Sequence, residues 1–439
     1  MSKHALLELQ TVNHGSIGID VHKDKLVACC VEVSALDCGA EKINKTFFET
    51  RGTQQERDKL VQWCLQKHPE VVLMESTGIY WKAIYRDLEK VGLNPEIINP
   101  RHFHRTDEGR KTDKGDALWL AGLARLGIYR QSFIPPEPYR NLRLIVTEHR
   151  NTVDEIARSK NRLLKILDDC GYRFSVAFSN IDGVSAQKIL QGILNDEPKE
   201  KLLTYIHARC KKPKKDIIEA VQGELNEHAR AMIKLLLQKI EFLDTLVEKL
   251  EQQLRIGLKN NQKEIELLQT LPGIDEMSAM VIISFITGTP SNYFANSHMI
   301  SRWLGVCPGN NESAGKSKSG KVPKGLKVFK RIFIECSNAA SRTKGTLFAR
   351  FYTRLRYSKG HCKACTAVAH KLMKLVYWVL KFRKPYLDMF ADYTSELSKR
   401  KRARWISALI WYGFVPYEQI KKVRKSEITM EMALMPARS

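Results

Sequence analysis

Apolar and polar residues follow two successive rhythms along the 439-residue chain. The first third mixes period-two runs with helical spacing. Ser16 to Asp20 is a short apolar run, and His22-Lys23-Asp24-Lys25 reads as a turn. Leu26 to Val33 and Ile43 to Glu49 read as a second and third strand. Gln54 to Gln66 has helical spacing. Val71-Val72-Leu73-Met74 is a buried strand that delivers Glu75 at its end. Ile79 to Val91 reads as a helix and Glu96-Ile97-Ile98 as a strand. Thr112 then stands as an N-cap ahead of a helix from Asp113 to Leu126. The order βββαβαβα predicts an α/β ribonuclease-H-like fold.

The second rhythm is helical. Pro135-Pro136-Glu137-Pro138 breaks the pattern and marks a boundary. Leu142 to Leu167 is a long helix. Residues 171–225 are mixed, with a basic Lys211-Lys212-Pro213-Lys214-Lys215 loop. In the next helix Ile233, Ile240, Val247 and Leu254 recur every seventh position, with Leu236, Leu243 and Leu250 between them. β-Branched residues at one heptad position and Leu at the other suit a parallel two-stranded coiled coil, which would make a dimer. An intramolecular hairpin with the 142–167 helix satisfies the same pattern. Leu271-Pro272-Gly273-Ile274 has the form of half a helix-hairpin-helix, a turn that offers backbone N–H groups to DNA phosphates. Gly305 to Gly325 reads as a Gly, Ser and Lys-rich loop, and helical patterns run on to Leu380. The expected division is residues 1–135, an α/β metal domain; 136–260, a helical coiled-coil region; 261–385, a mainly α domain; and 386–439, a tail that includes the basic run Ser398 to Arg404.

Charge narrows the partner. The formal net charge is +24 and the isoelectric point is near 9.6. From Asn311 to Lys384, nineteen Lys and Arg face two acids, Glu312 and Glu335, so this stretch carries +17 of the total. Such a block is a footprint for a polyanion, and nucleic acid suits it better than a membrane surface. No uninterrupted apolar run reaches the ~18 residues of a membrane span. The first residues lack the apolar core of an export signal. The expected location is the cytoplasm, in association with DNA. The ten cysteines show no regular pairing and read as reduced thiols. Cys362 and Cys365 form a CxxC, with His361 and His370 nearby. The segment continues as an apolar-periodic helix and there is no second CxxC, so helix packing is favoured over zinc.

Four acids are placed by this pattern where chemistry can be done. Asp20 ends the first strand and Glu75 the fourth, and those strands are neighbours in a ribonuclease-H-like sheet. Asp113 and Asp116 lie three apart at the start of the last helix, on one face. Each has a bland reading alone, as a turn residue, a cap or a partner of the helix dipole. Together they would repel and hold their protons unless divalent cations resolve the repulsion. Two Mg²⁺ (or Mn²⁺) ions about 4 Å apart can clamp the attacking and leaving oxygens of a phosphodiester. Asp24 and Asp107 are the nearest substitutes.

At this point the residues resemble a family. Gly18-Ile19-Asp20-Val21-His22-Lys23, Met74-Glu75-Ser76-Thr77-Gly78 and Lys111-Thr112-Asp113-Lys114-Gly115-Asp116-Ala117 look like the DEDD transposases of the insertion-sequence-110 family. Leu271 to Ile274 and Gly305 to Lys316 resemble that family's C-terminal transposase domain. The resemblance covers roughly residues 15–385. It implies a RuvC-like domain whose metal acids are Asp20, Glu75, Asp113 and Asp116, a coiled-coil linker, and a nucleophilic serine, Ser313, that forms a phosphoserine link to DNA. It further implies guidance by a bridge RNA pairing with donor and target DNA, and a homo-oligomer, dimer or tetramer, in a bacterial or archaeal cell. Asp275 stands where the family often has a second Gly. Composition alone would serve Ser317 or Ser319 as well as Ser313. A serine hydroxyl needs activation to be a nucleophile. Lys316, Lys318, Lys321, Lys324 and Lys327 follow Ser313 and can neutralise phosphate. Two other readings use the same features: a structure-selective nuclease of the junction-resolvase kind, which needs the acids and no serine, and a non-enzymatic nucleic-acid-binding protein.

Overall fold

The computed structural model describes residues 11–35, 41–76, 78–99, 112–208, 210, 212–309, 311–313 and 316–388. Lys111, Thr77, the substitute Asp107 and the basic run Ser398 to Arg404 lie outside the described residues. The chain divides into two compact units, Met1–Ile134 and Pro135–Ser439.

The first unit is built on five strands: β1 (Gly15–Val21), β2 (Lys25–Ala35), β3 (Glu41–Arg51), β4 (Val71–Glu75) and β5 (Pro95–Ile98). Their order in the sheet is β3-β2-β1-β4-β5. The first three pair antiparallel, and β1–β4 and β4–β5 pair parallel. With α1 (Gln54–Gln66), α2 (Trp81–Lys90) and α3 (Asp113–Leu126) this is the expected ribonuclease-H-like, RuvC-like arrangement. The period-two alternation decides which helix covers which face. Ile17, Ile19, Leu26, Ala28 and Cys30 bury one face against Leu60 and Cys64 of α1 and Ile84 and Leu88 of α2. Val27, Cys29 and Val31 bury the other against Ala117 and Ala121 of α3.

The bounds of α1 and α3 coincide with those expected. Thr112 accepts a hydrogen bond from Gly115 N at 3.2 Å and starts α3, and Gly127 ends it in the left-handed region. Gly18 fixes how close α3 comes. A Cβ there would collide with the backbone of Ala117 and Ala121, so helix and strand touch main chain to main chain. The Ser16 hydroxyl donates to Ala121 O at 3.1 Å and ties the same seam.

The second unit is mainly helical. Its long helices α4 (Glu137–Asp169) and α9 (Glu227–Gly257) pack side by side and antiparallel, with His149 opposite Glu251 and Glu155 bonded to Lys239 at 2.5 Å. The short helices α5 (Phe174–Ala177), α6 (Val184–Leu194), α7 (Lys199–Thr204) and α8 (Lys214–Ala220) close one end around Leu163, Leu167, Ile233 and Leu236. Within the chain the heptad-bearing helix forms a hairpin with α4. Ile233, Leu236 and Leu254 are buried in their own unit. A second apolar stripe of α9, with Met232, Leu235, Phe242 and Ile256, is exposed.

Helices α10 (Gln262–Gln269), α11 (Glu276–Ile286), α12 (Ser297–Leu304), α13 (Lys327–Arg342), α14 (Leu347–Lys359) and α15 (His361–Phe382) form the remaining bundle. Helix α11 is buried from Ala279 to Ile286, Phe285 stacks on Phe329 at 4.7 Å, and the Tyr377 hydroxyl donates to Phe294 O. The Leu271–Ile274 turn is pressed onto α13: Gly273 has φ +82°, and a Cβ there would strike Cys336 O and Ala340 N. Asp275 earns its place as the N-cap of α11, accepting from Ser278 N at 2.8 Å. Among the described residues no helix is long and apolar enough to cross a membrane.

The segment read as a loop between Gly305 and Gly325 contains a short hairpin, β6 (Asn311–Ser313) and β7 (Lys316–Ser319). Its base is pinched. A Cβ on Gly325 would collide with Leu304 O, and one on Gly309 with Lys321 O. Alternation was too short and too polar here to announce strands.

Candidate functional site

Parallel pairing sets Ile19 of β1 beside Met74 of β4, so Asp20 and Glu75 leave the same edge of the sheet one residue later. On β1 the odd positions 17, 19 and 21 face α1 and α2, and Ser16, Gly18 and Asp20 face α3. Asp113 lies one helical turn before Ala117, the residue pressed on Gly18. The close seam therefore carries Asp113 to the end of β1, next to Asp20.

The ligand atoms of Asp20, His22 and Asp113 all lie within 4.8 Å of one another. His22 Nε2 is 3.1 Å from Asp20 Oδ2 and 3.7 Å from Asp113 Oδ1. Lys25 Nζ reaches Asp113 Oδ2 at 3.2 Å and Glu49 Oε2 at 3.1 Å, and Lys114 Nζ reaches Glu49 Oε1 at 2.8 Å. Burial pushes the Asp20 carboxyl above its ordinary range. His22 opposes that shift, and the negative charges of Asp113 and Glu75 add to it. Glu75 is thus in electrostatic reach of Asp20, at the edge where register places it. Hydrogen bonds from Lys114 and Lys25 hold Glu49 below the usual carboxylate range.

Of the four expected acids, Asp20 and Asp113 come together at ligand distance. Glu75 and Asp116 are not in that group: Glu75 ends β4 and acts on Asp20 through its charge, and Asp116 lies in the first turn of α3. The substitute Asp24 is exposed in the β1–β2 turn and stands outside it. Three members of the cluster were missed: His22, Lys25 and Glu49. His22 had a signal. It follows the end of β1 by one residue and opens the turn closed by His22 N to Lys25 O, so a metal-ligating residue type stood two residues from Asp20 in the sequence. Val27 pairs with Glu49 across β2–β3, which puts Glu49 on the α3 face as well.

A partly buried carboxylate with a raised pKa, facing a second carboxylate and an imidazole, is a donor set suited to a hard divalent cation. The three ligand atoms within 4.8 Å of one another fit a cation at this edge, which would displace the Lys25 ammonium from Asp113. A cavity of about 200 Å³ opens beside it, lined by His22, Lys23, Arg57, Ile79 and Tyr80 among others.

In the second unit, Ser313 ends β6 and pairs with Lys316 of β7. Lys321, Lys324 and Lys327 are exposed, and Lys318 lies within β7. Cys362 and Cys365 lie on α15, where Cys365 Sγ donates to Asn338 Oδ1 at 2.8 Å. Among the described residues they join no metal-ligand group. The nine described cysteines are free thiols.

A ribonuclease-H-like sheet with carboxylates at the ends of its central strands and at the start of the helix behind them defines the class of RuvC-like, DEDD metal-dependent nuclease domains. Residues 17–171 match an IS110 DEDD family model described as Transposase, and residues 265–353 match one described as Transposase IS116/IS110/IS902 family. The two matches together span more than half of the chain, and the chain belongs to the IS110 transposase family. Among solved structures it is similar to Thermus thermophilus RuvC, at 17% identity over 27% of this chain and 99% of that chain, with a TM-score of 0.22. No curated protein matches the sequence. Family membership makes this a DNA-cutting and rejoining enzyme with a nuclease-like domain that uses divalent metal.

Proposed function

We propose that the chain is a recombinase that cuts and rejoins donor and target DNA to move an insertion sequence, with Mg²⁺ or Mn²⁺ at Asp20, Glu75, Asp113 and Asp116 and with Ser313 as nucleophile. The observation that carries this is the arrival of Asp20 and Asp113, far apart in sequence, at ligand distance in a family transposase. A bound divalent cation would stabilise negative charge on the phosphate oxygens. The protein's own part is to orient and to neutralise. Asp20 and Asp113 would hold the cation, His22 would fix the Asp20 carboxylate, and Lys25, which also reaches Glu49, would give up Asp113 to the cation and stay on Glu49.

The serine step balances without an external energy source. Ser313 Oγ forms a bond to phosphorus as one phosphorus–deoxyribose oxygen bond breaks, and the serine proton ends on the departing oxygen. Attack by a different deoxyribose hydroxyl on the phosphoserine reverses the exchange and joins new ends. Lys316, Lys318, Lys321, Lys324 and Lys327 would bind the phosphates around it. The choice of Ser313 rests on the family resemblance, as do guidance by a bridge RNA and assembly of a dimer or tetramer. On this reading residues 136–260 are a helical arm, residues 261–385 the serine domain, and the tail from 386 carries no assigned role.

A strand-exchange assay on donor and target duplexes, with RNA transcribed from the element's ends, tests this. Asp20→Asn and Ser313→Ala should each abolish recombinant product, the latter together with the covalent protein–DNA adduct. Exchange that survives Ser313→Ala removes the serine and leaves a junction-resolving nuclease. Activity independent of the added RNA removes the guide.

A further inference from the structure

Between Glu335 and Asp388 the chain has twelve Lys and Arg and no acid. Two of these cations, Arg350 and Arg354, lie on one face of α14, and a third, Lys344, stands just before its start. A shallow groove of about 510 Å³ runs there, with Ala349 and Thr353 set among Lys344, Arg350, Arg354 and Tyr357. Positions 350, 353, 354 and 357 are three and four apart and so share a face. From Ala349 to Tyr357 that face extends ~12 Å.

Three features of the face are unexplained by packing. Tyr357 is 88% exposed, the most exposed of the large apolar side chains among the described residues. Arg350 and Arg354 stand four apart, a spacing at which like charges on a helix repel. Among the described residues no acid pairs with Lys344, Arg350 or Arg354. Arg354 instead lies over the Phe351 ring at 5.6 Å, which Lys371 also approaches at 4.8 Å. The positive potential is felt nearby: burial lowers the Lys371 pKa, and Arg354 and Lys374 lower it further.

A row of unpaired cations beside small side chains, ending in an exposed aromatic ring, matches what a single strand of nucleic acid needs. Its phosphates meet the charges and its bases offer π faces to the ring. A duplex offers only the phosphates, because its bases are stacked on one another. We propose that this face of α14 seats a single-stranded segment of nucleic acid, with phosphates on Lys344, Arg350 and Arg354 and one unpaired base stacked on Tyr357. The site rests on the nucleic-acid role proposed above, but on neither the metal acids nor Ser313.

The test uses the full chain, fluorescence anisotropy, and a short unstructured oligonucleotide offered as RNA, as DNA, and as a DNA duplex of equal length. Tyr357→Ala should weaken the single strands about tenfold. Tyr357→Phe should bind like wild type, and the duplex should be indifferent to both. Arg350→Ala should lower the slope of log K against log salt by ~0.7 for a single strand. Binding by only one of the two single strands identifies that one as the ligand. Single-strand affinity unchanged by Tyr357→Ala overturns the proposal, as does an equal loss on the duplex, or no binding of either single strand by wild type. Asp20→Asn protein should bind the oligonucleotides normally. A chain that binds them but never exchanges strands therefore overturns the recombinase reading and leaves this site standing.

Discussion

Asp20 is held between opposing influences, and the balance sets its behaviour with pH. Burial raises its pKa and the neighbouring acids raise it further, while His22 lowers it. For a carboxyl shifted upward, the charged form is the one the fold disfavours. Above its unfolded pKa near 3.8 it costs stability, and that cost vanishes on protonation. A proton and a divalent cation compete for the same oxygens. Mn²⁺ affinity, measured by titration, should therefore decline on acidification at a higher pH than an ordinary aspartate would dictate. Asp20→Asn should remove that binding yet melt no lower than wild type in metal-free buffer at neutral pH. A clear fall in its melting temperature would show that Asp20 is structural. At this scale the sequence was a partial guide. Strand ends and a helix start located the four acids, because a carboxylate at an element boundary is visible in the pattern. The countercharges were not, since Lys25 and Glu49 meet only through the β2–β3 register, which no single strand reveals.

Among the elements, α3 is the one on which the site depends. Its bounds were legible because Thr112 caps it and Gly127 stops it, both local signals. Its seat on β1 was not. That depends on the absence of a side chain at Gly18, and a glycine inside a strand has no meaning until the backbone opposite it is known. Gly18→Val should push α3 away and destabilise the first unit by about 1–3 kcal/mol. It should also cut metal affinity, because Asp113 travels with the helix. Chemical denaturation and metal titration of the one variant give both readings. Loss of stability with full metal binding would mean that Asp113 is placed by something else. The heptads of α9 carried a similar ambiguity. A seven-residue repeat specifies that a helix packs against another and is silent on whose chain supplies the partner. Here α4 supplies it.

For the whole molecule, the two apolar faces of α9 are unequal in fate. One is spent on α4, and the other leaves Met232, Leu235, Phe242 and Ile256 in solvent. Exposed apolar stripes of this length on a helix suit a partner, and the proposed oligomer provides one in a second copy. Phe242→Glu should reduce the mass seen by light scattering to that of one chain. As a surface change it should leave unfolding within about 0.5 kcal/mol of wild type. An unchanged mass would place the contact elsewhere. The bulk charge and its concentration after Asn311 were fully legible, being arithmetic on the sequence. What composition could not distribute was which cations pair within the fold: Arg150 and Arg331 pair with Glu335 and Asp154, whereas among the described residues those along α14 meet no acid.

The pinched base of the β6–β7 hairpin has a consequence for reach. Gly305 against Gly325 and Gly309 against Lys321 clamp the two arms where they leave the helical bundle, so the two strands start from a fixed base. Adding one residue to each arm would carry the end of β6 outward by ~3.3 Å while the clamp and the helices keep their places. For the serine proposed as nucleophile at the end of β6, reach is then a property that strand length alone would tune.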